Sequence, residues 1–527
     1  MALSADVETN QEHGFEHERV VVGASHRPGE GDPHGLENSR IAGSRLPLRT
    51  RAVLLTLIGL LSLAGYVAIL QASNVSRPPG AYAAYVALFA GLFALYLLAC
   101  YLVLGAGSAL PVKPTLLLVG VVSVAARALL VPAPPTLSND VYRYVWDGRV
   151  MAFGVSPYKY SPNAPQLAGL HSPGYDRDLW QYINRKNAIT IYPAGAEMFY
   201  AGVYGIAPDS VTVMKGAMVV VDLASCAALA LLLGLLRMPP ARAIVYAWSP
   251  LPIIEFGSSG HVEALSVFWT LLALITGVLA IRRYGAGLQH RFTTLTLLAS
   301  VCLGAAMLIK LIPALLLVGW FRRFGWRLAV MSAVVFGVVS IIFIEAWGGY
   351  VSPFLATYIG NEESNAPLYY ILKYGVASPL GIPDGAVRLL LGGALVFSAL
   401  YILALRERGE YDFIGKSFLL VATYLFLATS AHAWYATWLL LFVPLFLPPN
   451  GLPLLGLAEA RSRGKWTWIG SRYSIAFAAL AYTGLTFLGY VVFSLSVPTL
   501  PWPMVMLQFS LVAGSFFLCV PFLNRSI

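Results

Sequence analysis

The stretch TLSNDVYRYVWDGRVMAFGVSPYKYSP, Thr136 to Pro162, follows the apolar run Leu116 to Val131 and changes character abruptly. It holds two carboxylates (Asp140, Asp147), three basic residues (Arg143, Arg149, Lys159) and five aromatic rings besides Phe153. In a chain of 527 residues that is 58% hydrophobic and only 11% charged, such density needs a cause. From Asp140 to Phe153 the spacing predicts one amphipathic helix. Val141, Tyr144, Val145, Met151 and Ala152 fall broadly on one side, while Asp140, Arg143 and Asp147 share another at i, i+3 and i+7. Such a helix lies at a membrane surface, with its rings at headgroup level and its carboxylates toward a polar cleft. The plainer alternative is a solvated helix whose Asp and Arg merely pair. Carboxylates set against membrane-embedded helices are more often functional.

The rest of the chain supplies the membrane. A mean hydropathy of +0.71 is too apolar for a soluble globular protein, and apolar runs near the roughly 20 residues of a spanning helix recur throughout. The expected fold is an all-α polytopic membrane protein. A net charge of +10 would suggest nucleic acid in a soluble chain; here Lys and Arg retained in cytoplasmic loops explain it, with no nucleic-acid partner. The four cysteines (Cys100, Cys226, Cys302, Cys519) sit inside apolar runs without CxxC spacing, as packing residues and not a disulfide framework or metal site.

Residues 1–47 are polar, lack an apolar h-region and are expected to be a disordered cytoplasmic tail. The remainder, 48–527, forms one transmembrane domain, with spans expected at 52–71, 82–104, 114–131, 211–236, 243–257, 262–281, 292–308, 311–321, 328–346, 386–405, 414–430, 434–448, 473–495 and 503–522. Several are short, so the number of transmembrane helices is about 13 or 14. Arg40, Arg45, Arg49 and Arg51 precede the first span and place the N-terminus inside. Arg237 and Arg242, Arg282 and Arg283, Arg322, Arg323 and Arg327, Arg406 and Arg408, and Arg461, Arg463 and Lys465 then fall on that same side. Both termini are thus expected in the cytoplasm. Asp140 and the long loop 132–210 lie on the extracytoplasmic side, with His261 and Glu263, the loop 350–383, and the segment around His432.

Other polar residues mark the same face. Lys310, in AAMLIKLIPALL, falls where two short helices meet and Pro313 breaks the run. A lone Lys there either snorkels to the headgroups or binds a phosphate. Arg127 sits about one turn inside its span, placed to snorkel, to pair with a carboxylate or to hold a phosphate. Glu263 suits a helix start in any case, and His432 with Trp434 and Tyr435 suits an interfacial aromatic belt. Glu362 and Glu363 suit a solvated loop. No GxxxxGK[ST], HExxH or GxGxxG motif supports a cytoplasmic nucleotide or zinc site. No inverted repeat with matched broken spans points to a transporter.

DVYRYVWDGRVMAFGVSPYKYSP, followed in order by IYPAGAEMFY, GHVEALSVFWTLLAL, AAMLIKLIPALLL and HAWYATWLLLFVPLF, resembles the bacterial GT-C glycosyltransferases. More narrowly it is similar to polyprenol-phosphate-mannose-dependent mannosyltransferases, and more distantly to the eukaryotic GPI mannosyltransferase that acts from the ER lumen. The likeness spans roughly Leu116 to Leu447. It implies a multispan fold with amphipathic helices in a large extracytoplasmic loop, a lipid-linked sugar donor, and Asp140 as the catalytic acidic residue. Two departures are that Asp140-Val141-Tyr142 is not a DxD, which leaves a divalent metal open, and that two spans precede the usual first one.

The residues fit that chemistry. A sugar already activated as a lipid phosphate requires no nucleotide domain and no cofactor. It requires a base for the acceptor hydroxyl, Asp140 or else Asp147, and cations for the departing phosphate, for which Lys310, Arg127 and Arg143 are candidates. Tyr142, Tyr158, Tyr192, His261, Glu263 and His432 complete the expected substrate-binding set, without a metal ligand. The expected function is transfer of a hexose, most simply mannose, from polyprenyl phosphate to a glycolipid or envelope glycan at the plasma membrane, with inversion. A lipid-linked-sugar flippase, a non-catalytic scaffold for polysaccharide assembly, and a GT-C transferase of another sugar are the alternatives.

Overall fold

The computed structural model describes residues 46–75, 80–105, 110–171, 177–285, 288, 291–348, 360–447, 472–490 and 501–519. The expected tail lies outside them as far as Arg45, which closes the first of two units; the second is Leu46–Ile527. Among the described residues of that second unit the elements are helical, with one isolated bridge between Ser364 and Ser430.

The apolar runs become α1 (Leu48–Val75), α2 (Gly80–Leu104) and α3 (Val112–Leu130). The polar stretch that follows opens α4 (Asp140–Ala152), and IYPAGAEMFY supplies the start of α5 (Ala194–Ile206). Then come α6 (Val211–Leu235), α7 (Pro250–Gly257), α8 (Glu263–Tyr284), α9 (Thr294–Met307), α10 (Ala314–Phe324), α11 (Trp326–Trp347), α12 (Asp384–Ala404), α13 (Asp412–Leu427), α14 (Arg472–Leu485) and α15 (Trp502–Cys519). Seven of them, α1, α2, α3, α6, α8, α11 and α12, are long and apolar enough to cross a membrane. The protein is an all-α membrane protein.

The other expected spans are shorter or broken, and prolines explain several breaks. The run 243–257 divides at Trp248 and Ser249, and α7 restarts with Pro250 and Pro252 in its first turn. The run 434–448 is a string of turns, with Pro444 at the start of its last short helix. A proline lacks the N–H that would continue the ladder.

Packing is chiefly between neighbours in sequence: α1 on α2 and α3, α6 on α8, α8 on α9, α9 on α11, and α12 and α10 on α13. Leu271, Leu274, Val278, Leu303, Leu316 and Trp320 belong to the largest buried cluster. The buried faces turn toward other helices, whereas Leu117, Val121, Val220, Leu389 and Phe397 stay exposed on α3, α6 and α12, as helices in lipid require.

α4 departs from expectation in one respect. Its sequence is amphipathic, yet every residue from Arg143 to Met151 is buried. The long loop folds over it, and α5 packs against it so closely that Gly148 is the only residue type that fits. A Cβ there would stand 2.8 Å from the Tyr200 carbonyl oxygen and from Tyr204 Cβ. The helix is thus enclosed by its own loop.

Candidate active site

Where α4 begins, the loops at one end of the helices surround a cavity of about 550 Å³, within the usual range for small-molecule sites. Asp140, Arg143, Tyr192, Lys310 and His432, all anticipated from the sequence, line it together. Asn184, Arg185, Glu362, Trp434 and Tyr490 complete the wall.

Asp140 is the first residue of α4, with 21% of its side chain exposed. Asn184 donates to its Oδ1 at 2.6 Å. Burial pushes its carboxyl above the ordinary range, against the Asn184 hydrogen bond and the positive charges of Lys310 and Arg185. Behind it stands His261, fully buried, with Nδ1 3.7 Å from Asp140 Oδ2 and Nε2 3.4 Å from Glu255 Oε2. Gly260 has φ +72°, and a Cβ there would meet Lys215 Cγ at 2.8 Å, so the turn that presents His261 requires glycine. Trp434 is sandwiched between the rings of His261 (3.7 Å) and His432 (4.5 Å). Burial, then the nearby Lys310 and Arg185 charges, hold the His432 imidazole down at about 3, so it is neutral.

Lys310 occupies the non-helical link between α9 and α10, and Pro313 is the N-cap of α10, as the break in the sequence suggested. Its ammonium lies 2.9 Å from Glu263 Oε1 and about equally far, 5.2 and 5.3 Å, from the rings of Tyr192 and Tyr435. Its ammonium lies on the wall of the cavity. Arg143 is clamped from behind: its Nε faces both Asp147 oxygens at 2.8 and 2.9 Å, and Nη1 donates to the Ala188 carbonyl. Its buried Nη2 completes no hydrogen bond.

That clamp assigns Asp147 a place distinct from Asp140's. It does not line the cavity; it holds Arg143 and lies in a buried acidic pair with Glu197, whose carboxyl is pushed well above its usual range by burial and by Asp147. Arg127 is also absent from the cavity. It is fully buried, bonded to Asp222 at 2.5 Å, to Ser123 Oγ at 2.6 Å and to the Ala247 carbonyl at 2.9 Å. A guanidinium inside a span finds a carboxylate sooner than it reaches a headgroup, and Asp222 of α6 is that partner. Tyr142 packs on Tyr182, and Tyr158 donates to the Tyr192 carbonyl at 2.6 Å, so both support the wall without forming it. Glu255 was the readable omission, a lone acid in the apolar run PLPIIEFG. Asn184 and Arg185, in YINRKN, carried no such signal. Among the described residues no three His, Cys, Asp or Glu side chains gather as a metal site.

A carboxylate and cations thus face one polar cavity at the end of apolar helices. The chain belongs to the MptA/B family: the family model described as alpha-(1->6)-mannopyranosyltransferase, N-terminal domain, matches residues 52–323, just over half of the chain. The match includes Asp140, Glu255, His261 and Lys310 and ends before Glu362, His432 and Tyr490. No curated protein matches the chain. The protein is a glycosyltransferase of a mannosyltransferase family.

Proposed function

We propose that the protein transfers mannose from a polyprenyl-phosphate donor to a glycolipid or envelope glycan on the extracytoplasmic face of the plasma membrane. The observation that carries this reading is the shared cavity of Asp140 and Lys310 at a membrane end of the helices. Asp140 takes the proton from the acceptor hydroxyl as the oxygen attacks the anomeric carbon. Lys310 and Arg143 balance the charge on the departing lipid phosphate. Attack opposite the phosphate inverts the centre, so a β-linked donor gives an α-mannoside, in keeping with the α-(1→6) linkage in the family's description. The reaction needs no metal and no nucleotide.

The test uses the full chain in lipid nanodiscs, with radiolabelled polyprenyl-phosphate mannose or GDP-mannose, and a membrane glycolipid extract as acceptor. Transfer from the lipid donor alone, unchanged by EDTA, is expected. Transfer from GDP-mannose would overturn the donor assignment, and abolition by EDTA would recast Asp140 as a metal ligand.

A further inference from the structure

Behind Asp140 lies a row of buried polar groups that the reaction above does not use. Glu255 is fully buried among the apolar residues of α7, and its two oxygens lie 3.0 and 3.3 Å from the Tyr490 hydroxyl, which donates to it. His261 stands between Glu255 and Asp140, with one ring nitrogen toward each. The backbone fixes that placement: the His261 N–H donates to the Glu255 carbonyl at 3.0 Å, and the ring is stacked on Trp434. Lys215, buried in α6, donates to the carbonyls of Ala133 and Ser258 and so ties the chain leading to Asp140 to the turn leading to His261. Neither ring nitrogen of His261 completes a hydrogen bond. A fully buried imidazole with neither nitrogen hydrogen-bonded is costly.

We propose that Asp140, His261 and Glu255 form a proton relay that moves the acceptor's hydroxyl proton out of the cleft and into the buried Glu255. His261 then acts on Asp140 and not on the sugar. The inference rests on the reading of Asp140 as the base. Burial raises the Glu255 carboxyl to about 8, so the relay runs in the fraction of molecules in which Glu255 is ionised; there neutral His261 carries its one N–H on Nε2, toward the Glu255 carboxylate, and its Nδ1 lone pair faces the Asp140 carboxylate. The 3.7 Å separation is longer than a hydrogen bond. When Asp140 takes the acceptor proton, its new O–H points at Nδ1 and the gap closes. The Asp140 O–H bond breaks as Nδ1–H forms, and the Nε2–H bond breaks as an O–H forms on Glu255. Asp140 is again a carboxylate, His261 is neutral in the other tautomer, and Glu255 is a neutral acid. No co-reactant is consumed. The proton is then two groups away from the new glycosidic oxygen, and it leaves by the reverse path once product has gone.

The surroundings suit a neutral relay. Asp140 is faced by Asn184, Lys310 and Arg185, and His261 by Glu255, Lys310 and His432. Burial first, then the Lys310 charge, keep the His261 imidazole well below its ordinary 6.5, so tautomer exchange and not a lasting imidazolium carries the proton.

The full-length enzyme in nanodiscs tests this in two ways. With polyprenyl-phosphate mannose, Glu255→Gln and His261→Asn are each expected to lower kcat about tenfold or more, with KM for the donor within about twofold of wild type, and Glu255→Asp to recover part of the loss. Wild-type kcat in Glu255→Gln or in His261→Asn would overturn the relay. Infrared titration of the protonated-carboxyl stretch needs no donor. Asp140→Asn is expected to shift the midpoint of the band that Glu255→Gln removes, and to shift it less when His261→Asn is also present, since the Asp140 charge also acts on Glu255 directly. A Glu255 midpoint indifferent to Asp140→Asn would overturn the relay even if the rates fell, because the rate losses would then be structural. A wild-type enzyme inert with the lipid donor would count against the proposed function, and the infrared arm would still decide the relay.

Discussion

At the scale of single residues, the proposed reaction divides the work between Asp140 and Lys310, and each can be probed without moving the other. Asp140→Asn keeps the shape and the Asn184 contact region but removes the base. Turnover is expected to fall by roughly 10² to 10⁴ while expression and thermal midpoint stay near wild type; a near-wild-type rate would refute the assignment. The pH dependence follows from burial. The base works as a carboxylate, and burial raises its pKa, so the acid limb of kcat/KM should sit above the range of an exposed aspartate. The Lys310 charge acts the other way and lowers it. Removing that charge in Lys310→Met should therefore move the acid limb to still higher pH and raise the donor KM, with Lys310→Arg recovering part of donor use. Full activity of Lys310→Met at limiting donor, with an unmoved limb, would assign Lys310 to pairing with Glu263 alone.

At the scale of elements, the site depends on how tightly α4 is held. Gly148 brings α4 against α5 at backbone distance, and the nearest atom to an added Cβ is a main-chain oxygen that cannot turn aside. Gly148→Ala should cost about 1–3 kcal/mol by overpacking, read as a lowered thermal midpoint and a lower kcat as Asp140 shifts; an unchanged midpoint would show that the contact is slack. α4 also shows what the sequence could tell. Its limits were legible to within a residue, because the polar and aromatic pattern starts at Asp140 and the chain turns at Gly154. Its enclosure was not, because burial depends on a loop that returns some 40 residues later. Lys310 was legible for a local reason, a lone cation beside a proline. Arg127 could not be separated from it by sequence alone, since its partner Asp222 lies three helices on. Glu255 stood in plain view as the one charge of its run, but only the fold brings it within reach of His261 and of Tyr490 far along the chain.

At the scale of the whole molecule, the cavity and the loop arginines that follow α8, α10 and α12 occupy opposite ends of the same helices. α8 starts with Glu263 beside Lys310 and finishes with Arg282 and Arg283. α10 starts just after Lys310 and finishes with Arg322 and Arg323. α12 starts with Asp384 and Arg388, which donates to the Glu362 carbonyl at the cavity, and leads to Arg406. At the far end Arg323 donates to the Gly409 carbonyl and faces Glu407, so the loops there meet one another. A helix of 22 residues, such as α8, is about 33 Å long, enough to separate the two ends across a bilayer. In the proposed topology the Arg-rich loops stay in the cytoplasm and the cavity faces outside, where lipid-phosphate sugars and not nucleotide sugars are met. The cluster Arg461, Arg463 and Lys465 lies outside the described residues, so the test is better placed at Glu410, exposed in the loop before α13. In a background with the four cysteines replaced by alanine, a cysteine at exposed Asn163 should react with an impermeant maleimide in intact cells. A cysteine at Glu410 should react only after permeabilisation. The reverse pattern would turn the cavity to the cytosol, and a nucleotide-sugar donor would then replace the lipid donor in the mechanism.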